Sequence, residues 1–228
     1  MTPYEASLRK KLTQAIELKY ALEKWREKAG YKSVSEESIL QTLIQQIEIV
    51  NQQFDDQLQH YEKLSEQRRQ LAIGSEDCIK SLTNQLWEDI GYQFRPGTVA
   101  NDLLKILCQK IQRFPLPEFP ISRRNPLDYK TVRLYEDSFA LVGQYFGWLV
   151  DLLKIVTFTP IRPSYCLDEF RNRVLQYNEL TKQVSQEAEM LRGQQLTKDQ
   201  IYKQLNQTIR ATKGRLVIYK RGADLPTE

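Results

Sequence analysis

A single histidine, His60, stands in a chain of 228 residues. Any mechanism built on a histidine pair, a histidine-rich metal site or a Ser-His-Asp triad would have to rest on that residue alone. It follows the polar run Asp55-Asp56-Gln57-Leu58-Gln59, which reads as a solvated helix face. Carboxylate-bridged di-iron bundles need Glu-x-x-His on two helices. The window ending here is Gln57-Leu58-Gln59-His60 and has no glutamate. Cysteine is also scarce. Cys78, Cys108 and Cys166 are far apart and odd in number, with no C-x-x-C pair, so no zinc site and no disulfide framework is expected. Three free thiols suit a reducing cytosol.

None of the nine glycines falls into G-x-x-x-x-G-K-[ST], G-x-G-x-x-G or G-x-S-x-G, which removes phosphate-cradling loops and nucleophile elbows. The carboxylate pairs Glu88-Asp89 and Asp168-Glu169 are adjacent in sequence. On a helix such neighbours diverge by about 100 degrees and do not form a facing acid and base. Asp168 and Glu169 are better explained by a helix N-terminus that favours negative charge. The reading is therefore not an enzyme, with no catalytic residue, no metal and no cofactor. The first residues, MTPYEASLRKKL, have no apolar run before a small-residue cleavage site, so a cytoplasmic protein is expected.

What the chain has in quantity is apolar residues at helical spacing. Hydrophobic residues make up 41% of it and include 12 Tyr, 8 Phe and 3 Trp, enough to fill a core and to exclude disorder throughout. Leu8, Leu12, Ala15, Leu18, Leu22, Trp25 and Ala29 step by three or four, which predicts a helix over 3–29. Thr2 and Glu5 would cap its start, and Gly30 would end it. Ser33 with Glu36 matches a second capping box. After it, Leu40, Leu43, Ile47, Val50, Phe54, Gln57, Tyr61, Leu64, Arg68 and Leu71 alternate three and four. A continuous helix over 35–72 would be roughly 57 Å long at 1.5 Å per residue, so an elongated molecule is expected.

Shorter helices follow at 75–91, through Ile79, Leu82, Leu86 and Ile90, and at 98–113, through Leu103, Leu107 and Ile111. The stretch 114–126, FPLPEFPISRRNP, holds four prolines and excludes a helix. Its P-x-x-P at Pro117 to Pro120 matches a loose ligand motif, whereas Phe114, Leu116, Phe119 and Ile121 argue for a loop laid on the bundle.

Residues 138–158, SFALVGQYFGWLVDLLKIVTF, are the most apolar run. A membrane span needs about 20 such residues. Asp151 and Lys154 interrupt this one, so no transmembrane span is expected. It reads as an inner helix, with Phe139, Val142, Phe146 and Leu149 buried, Asp151 and Lys154 at its wetter end, and Gly143 and Gly147 permitting close approach.

Leu167, Phe170, Val174, Tyr177, Thr181, Val184, Ala188 and Leu191 form another seam. A break is expected at Gly193, with Thr197 and Gln200 capping a last helix through Ile201, Leu205, Thr208, Thr212 and Leu216. Gly214 would offer an earlier end, leaving 216–219 extended.

The positive charge of the chain collects at its C-terminal end. Residues 200–222 hold Lys203, Arg210, Lys213, Arg215, Lys220 and Arg221 and no acid, whereas 1–77 hold 11 basic and 13 acidic residues. These six form the candidate binding cluster for an anionic partner, nucleic acid or lipid headgroups, with Tyr202 and Tyr219 available for stacking.

The sequence thus predicts an all-α, elongated bundle of about seven helices in a single domain, 1–222, with a flexible tail at 223–228. An N-terminal antiparallel hairpin (1–72) and a C-terminal one (164–222) flank the short helices and Pro-rich loop (73–130) and the apolar central helix (131–159). The function expected is that of an interaction or scaffold protein with a protein partner or self-association. Polar seam residues Gln57, Arg68 and Thr181 are candidate places to meet a partner helix. The alternatives are nucleic-acid or anionic-surface binding by the C-terminal cluster, and release of the apolar helix onto a membrane.

Overall fold

The computed structural model describes residues 3–29, 34–74, 77–114, 129–161 and 166–223. Its regular elements are α1 (Pro3–Ala29), α2 (Val34–Arg69), a π-helical turn (Gln70–Gly74), α3 (Ile79–Gln93), α4 (Val99–Arg113), α5 (Tyr129–Ile155) and α6 (Leu167–Ala223). The protein is all-α, and no strand occurs among the described residues. The expected caps at Thr2, Gly30 and Ser33 and the Pro-rich stretch beyond Phe114 lie outside the described residues.

The largest departure from expectation is α6. It runs unbroken for 57 residues, so the C-terminal segment is one helix and not a hairpin. The reason lies in phase. Tyr177, Thr181, Val184, Leu191, Gln195, Tyr202, Leu205, Ile209 and Thr212 are all buried, and their spacing keeps one heptad register through Gly193. Thr197 is not a cap: its hydroxyl donates to the Gly193 carbonyl four residues back, at 3.1 Å, inside a continuing helix. Gly214 and 216–219 are likewise helical.

The chain forms two compact units, residues 1–56 with 193–228 and residues 57–192. In the first unit, Leu8, Ala15, Leu18 and Leu22 of α1 share a core with Leu40, Leu43, Ile44 and Ile47 of α2 and with Tyr202, Leu205 and Ile209 of α6. Polar contacts close both ends of this core. The Tyr4 hydroxyl donates to Asp199, Asn51 donates to the Tyr202 hydroxyl at 3.2 Å, and Arg26 pairs with Glu37 at 3.0 Å.

The second unit is built around α5. Phe139, Val142, Phe146, Leu149 and Leu153 are fully buried, and Asp151 and Lys154 are exposed, as the spacing predicts. Facing them are Ile79, Leu82, Leu86 and Ile90 of α3, Leu104, Cys108 and Ile111 of α4, and Phe170 and Tyr177 of α6. Gly143 lets α6 approach, because a Cβ there would lie 2.6 Å from Asn178 Oδ1 and 2.9 Å from the Tyr177 ring.

Local chemistry sets the ends of these helices. Cys78 caps α3 by accepting from the Ser81 N–H, so this helix starts at Ile79 and continues through Gly91. Thr98 caps α4 by accepting from the Asn101 N–H at 3.3 Å, after Gly97 at φ +82. α5 ends in a Schellman arrangement. The Phe158 N–H reaches the Leu153 carbonyl at 3.0 Å and the Thr157 N–H reaches Lys154 at 3.2 Å. Thr157 occupies the left-handed position at φ 53, an uncommon place for a β-branched residue.

Candidate interaction surfaces

Arg68 and Thr181, expected to meet a partner, instead face the chain's own core. Arg68 donates through both terminal nitrogens to the Glu136 carboxylate, and Tyr61 donates to the same carboxylate at 3.0 Å. The guanidinium lies 4.1 Å from the centroid of the Phe139 ring, which offers its negative π face to the buried cation. Tyr135 and Phe139 pack against one another at 5.0 Å. Burial, and then the Glu136 charge, push the Tyr61 phenol well above the usual tyrosine value. Burial does the same for Tyr177, whose hydroxyl donates to the Phe139 carbonyl at 3.0 Å. A pair removed from water this completely is tolerated because the carboxylate and the Phe139 ring meet the cation while the fork and the Tyr61 phenol meet the carboxylate. Gln57, half-buried, donates to Glu187, so this seam position also has a partner within the chain.

Beside the π-helical turn lies an open groove of ≈ 590 Å³. Glu66, Gln67 and Gln70 form one wall and Gln176, Glu179 and Gln183 the other. Its acids are held by amides of their own helices, Glu66 by Gln70 at 2.6 Å and Glu179 by Gln183 at 3.2 Å. The groove brings together no nucleophile and base. His60 is exposed and lies 3.2 Å from Glu187. Glu88 is exposed and Asp89 buried, so these neighbours diverge as helix geometry requires. Glu169 acts at the start of α6, accepting from the Cys166 N–H at 3.3 Å. Burial pushes the Cys108 thiol up to about 12, which leaves it inert at neutral pH. Among the described residues no cluster of His, Cys, Asp and Glu could hold a metal ion, and no helix is long and apolar enough to cross a membrane.

The C-terminal cations do not act as one group. Lys203, Arg210 and Lys213 are exposed on α6, within about 80 degrees of one another at 100 degrees per residue, and none forms an ion pair among the described residues. Arg215 points elsewhere and pairs with buried Glu36. Lys220 and Arg221 lie in the last turns of α6, and their side chains are outside the described residues.

The surface missed in the sequence is in the second unit. On α4 the buried row is Asn101, Leu104, Cys108 and Ile111, whereas Leu103, expected inside, is 46% exposed. With Val99 at 74% and Ile106 at 48% it forms an outward apolar row, continued by exposed Lys110 and Arg113. α5 likewise is not enclosed on all sides. Leu134, Leu141, Trp148 and Ile155 are exposed and follow one another at seven-residue intervals, with Tyr145 and Leu152 half-buried between them. That is a heptad seam facing out.

The two rows adjoin. Lys110 lies 5.1 Å over the Tyr145 ring, and Tyr145 meets Trp148 edge-on at 5.6 Å. Phe94, just before α4, stacks on Phe158, just after α5, so the helices run antiparallel and Val99 lies toward Ile155. The signal was present in the spacing of 134, 141, 148 and 155, but a helix rich in apolar residues on every side hides which row faces solvent.

Compared with protein families, curated proteins and solved structures, the chain matches none.

Proposed function

We propose that this is a non-enzymatic helical interaction protein of the cytoplasm, whose working surface is the outward apolar face of α4 and α5. The observation that carries the reading is the exposure of Val99, Leu103, Ile106, Trp148 and Ile155 on one face, because contiguous apolar patches of several hundred Å² mark binding sites more often than idle surface. The free thiols of Cys78, Cys108 and Cys166 suit the compartment. In this reading α1 and α2 form an antiparallel hairpin, supported by the Arg26–Glu37 pair beside their connection and by their shared core.

The test is site-specific photo-crosslinking in the native cell, with a benzophenone side chain at position 103 or 148 and, for comparison, at exposed Asn84 on α3. Discrete adducts from 103 and 148 but not 84 are expected. Adducts from none of the three would defeat the reading.

A second reading, binding of nucleic acid or an anionic surface, is favoured by one observation: Lys203, Arg210 and Lys213 are exposed, without an ion pair among the described residues, on a helix segment without acids. It requires affinity that falls steeply with salt, measured by fluorescence anisotropy with labelled nucleic acid. Binding insensitive to salt, or none, removes it.

A further inference from the structure

The outward face of α4 and α5 has a charge order that identifies its occupant. Along the exposed side of α4 the residues read Val99, Asp102, Leu103, Ile106, Lys110 and Arg113. The acid is toward one end and the cations are at the other, with Leu103 and Ile106 between them and Val99 one turn before the acid. This order is complementary to itself when reversed. A two-fold axis passing between Leu103 and Ile106 sets Leu103 of one copy against Ile106 of the other, twice, as in the layers of an antiparallel coiled coil. It then brings Val99 against the aliphatic stem of Lys110, and Asp102, one turn from Val99, within reach of the Lys110 ammonium.

We propose that a second copy of this chain occupies this face, α4 packing antiparallel on α4 with Trp148 and Ile155 of α5 flanking the contact. The inference rests on the interaction reading above and names its partner.

Size agrees with the proposal. Taking on the order of 200 Å² for a fully exposed large side chain, Val99, Leu103, Ile106, Leu141, Trp148 and Ile155, at 36–77% exposure, offer about 660 Å². The polar margin of Asp102, Lys110 and Arg113 brings the face near the roughly 800 Å² per partner of a standard stable interface. Trp148 at the margin of the apolar strip supplies the aromatic anchor common in such contacts. The residues on this face are exposed, so replacing them leaves the fold of a single copy intact.

The experiment uses the full chain in sedimentation equilibrium over a range of concentrations, with circular dichroism as the control for folding. The wild type is expected to be a dimer. L103Q/I106Q is expected to be monomeric at unchanged helicity. D102K, which sets like charges together at both ends, should raise the dimer dissociation constant by at least about tenfold, and D102K/K110D should restore it. The exchange also alters charge contacts within one copy, at Lys105 and Arg113 three residues away and at the Tyr145 ring under Lys110, so rescue reports a contact between copies only when K110D alone does not strengthen the dimer and helicity is unchanged. A monomeric wild type, or a dimer indifferent to L103Q/I106Q, overturns the proposal. Photo-crosslinks from 103 and 148 to a different protein would then leave the interaction reading standing. Flotation of the wild type, but not of L103Q/I106Q, with anionic phosphatidylserine vesicles in place of dimerisation would assign the face to lipid and also overturn the proposal.

Discussion

Arg68 of α2 and Glu136 of α5 form a closed fork in the core of the second unit, the guanidinium with no exposure to solvent and the carboxylate almost none. A charge so placed is stable only with its partner. Replacing Glu136 alone by Leu should lower unfolding stability by about 3–5 kcal/mol, because it strands the cation. The double replacement R68M/E136L removes both charges and should recover most of that loss. Equilibrium urea denaturation measures both. Equal losses in the single and double variants would mean that packing, and not the stranded charge, sets the cost.

Gly143 of α5 packs against Tyr177 and Asn178 of α6 with no room for a side chain. Alanine there would place its methyl 2.6 Å from Asn178 Oδ1 and 2.9 Å from the fixed ring of Tyr177. The ring is held by the hydrogen bond from its hydroxyl to the Phe139 carbonyl, so it cannot swing aside without losing that bond. G143A should cost about 1–3 kcal/mol. G147A, where the nearest atom is Val174 Cγ1 at 3.6 Å, should cost little or even stabilise. Thermal denaturation of the two variants side by side checks the contrast.

Thr157 closes α5 in the left-handed conformation, where a β-branched side chain is strained by roughly 1–2 kcal/mol. T157G relieves that strain, offset in part by the greater freedom of glycine in the unfolded chain. A rise in stability of roughly 1 kcal/mol is expected, read as a shift of the urea midpoint. A drop would show that the threonine side chain makes a contact worth more than the strain.

The periodicity of the sequence carried the inward faces well. Leu8, Ala15, Leu18 and Leu22 on α1, and Leu40, Ile47, Phe54 and Tyr61 on α2, are buried at the spacing read from the chain. Two readings failed for physical reasons. Gly193 and Thr197 resemble a stop and a cap, yet the heptad register on either side is the same, and a continuous buried stripe outweighs one glycine. On α4 apolar residues lie on two opposite faces, and composition alone does not tell Leu103, exposed, from Leu104, buried. The Arg68–Glu136 pair joins residues 68 positions apart, and nothing local in either helix announces it.

The cations of α6 separate into two kinds, and charge reversal should separate them. Lys203, Arg210 and Lys213 are exposed, so reversal to Glu should change stability by no more than about 0.5 kcal/mol. Arg215 is tied to Glu36, which is 6% exposed. R215E sets two like charges together there and should cost roughly 1–2 kcal/mol. Loss of anion binding in R210E/K213E would therefore report recognition, whereas the same loss in R215E would be mixed with loss of fold. Thermal melts of each variant, taken before any binding assay, make the distinction.

Gly193 offers the sharpest test of the continuous α6. It does not have a positive φ, it is exposed, and a Cβ added to it meets nothing within 4 Å. Alanine in such a helical site is favoured by about 0.5–1 kcal/mol, because it loses less backbone freedom on folding. G193A should therefore raise the unfolding midpoint in urea. If the chain turned back at this position, the glycine would be a left-handed cap and alanine would lower stability by a similar amount. The sign of one substitution decides between a single 57-residue helix and two helices joined by a turn.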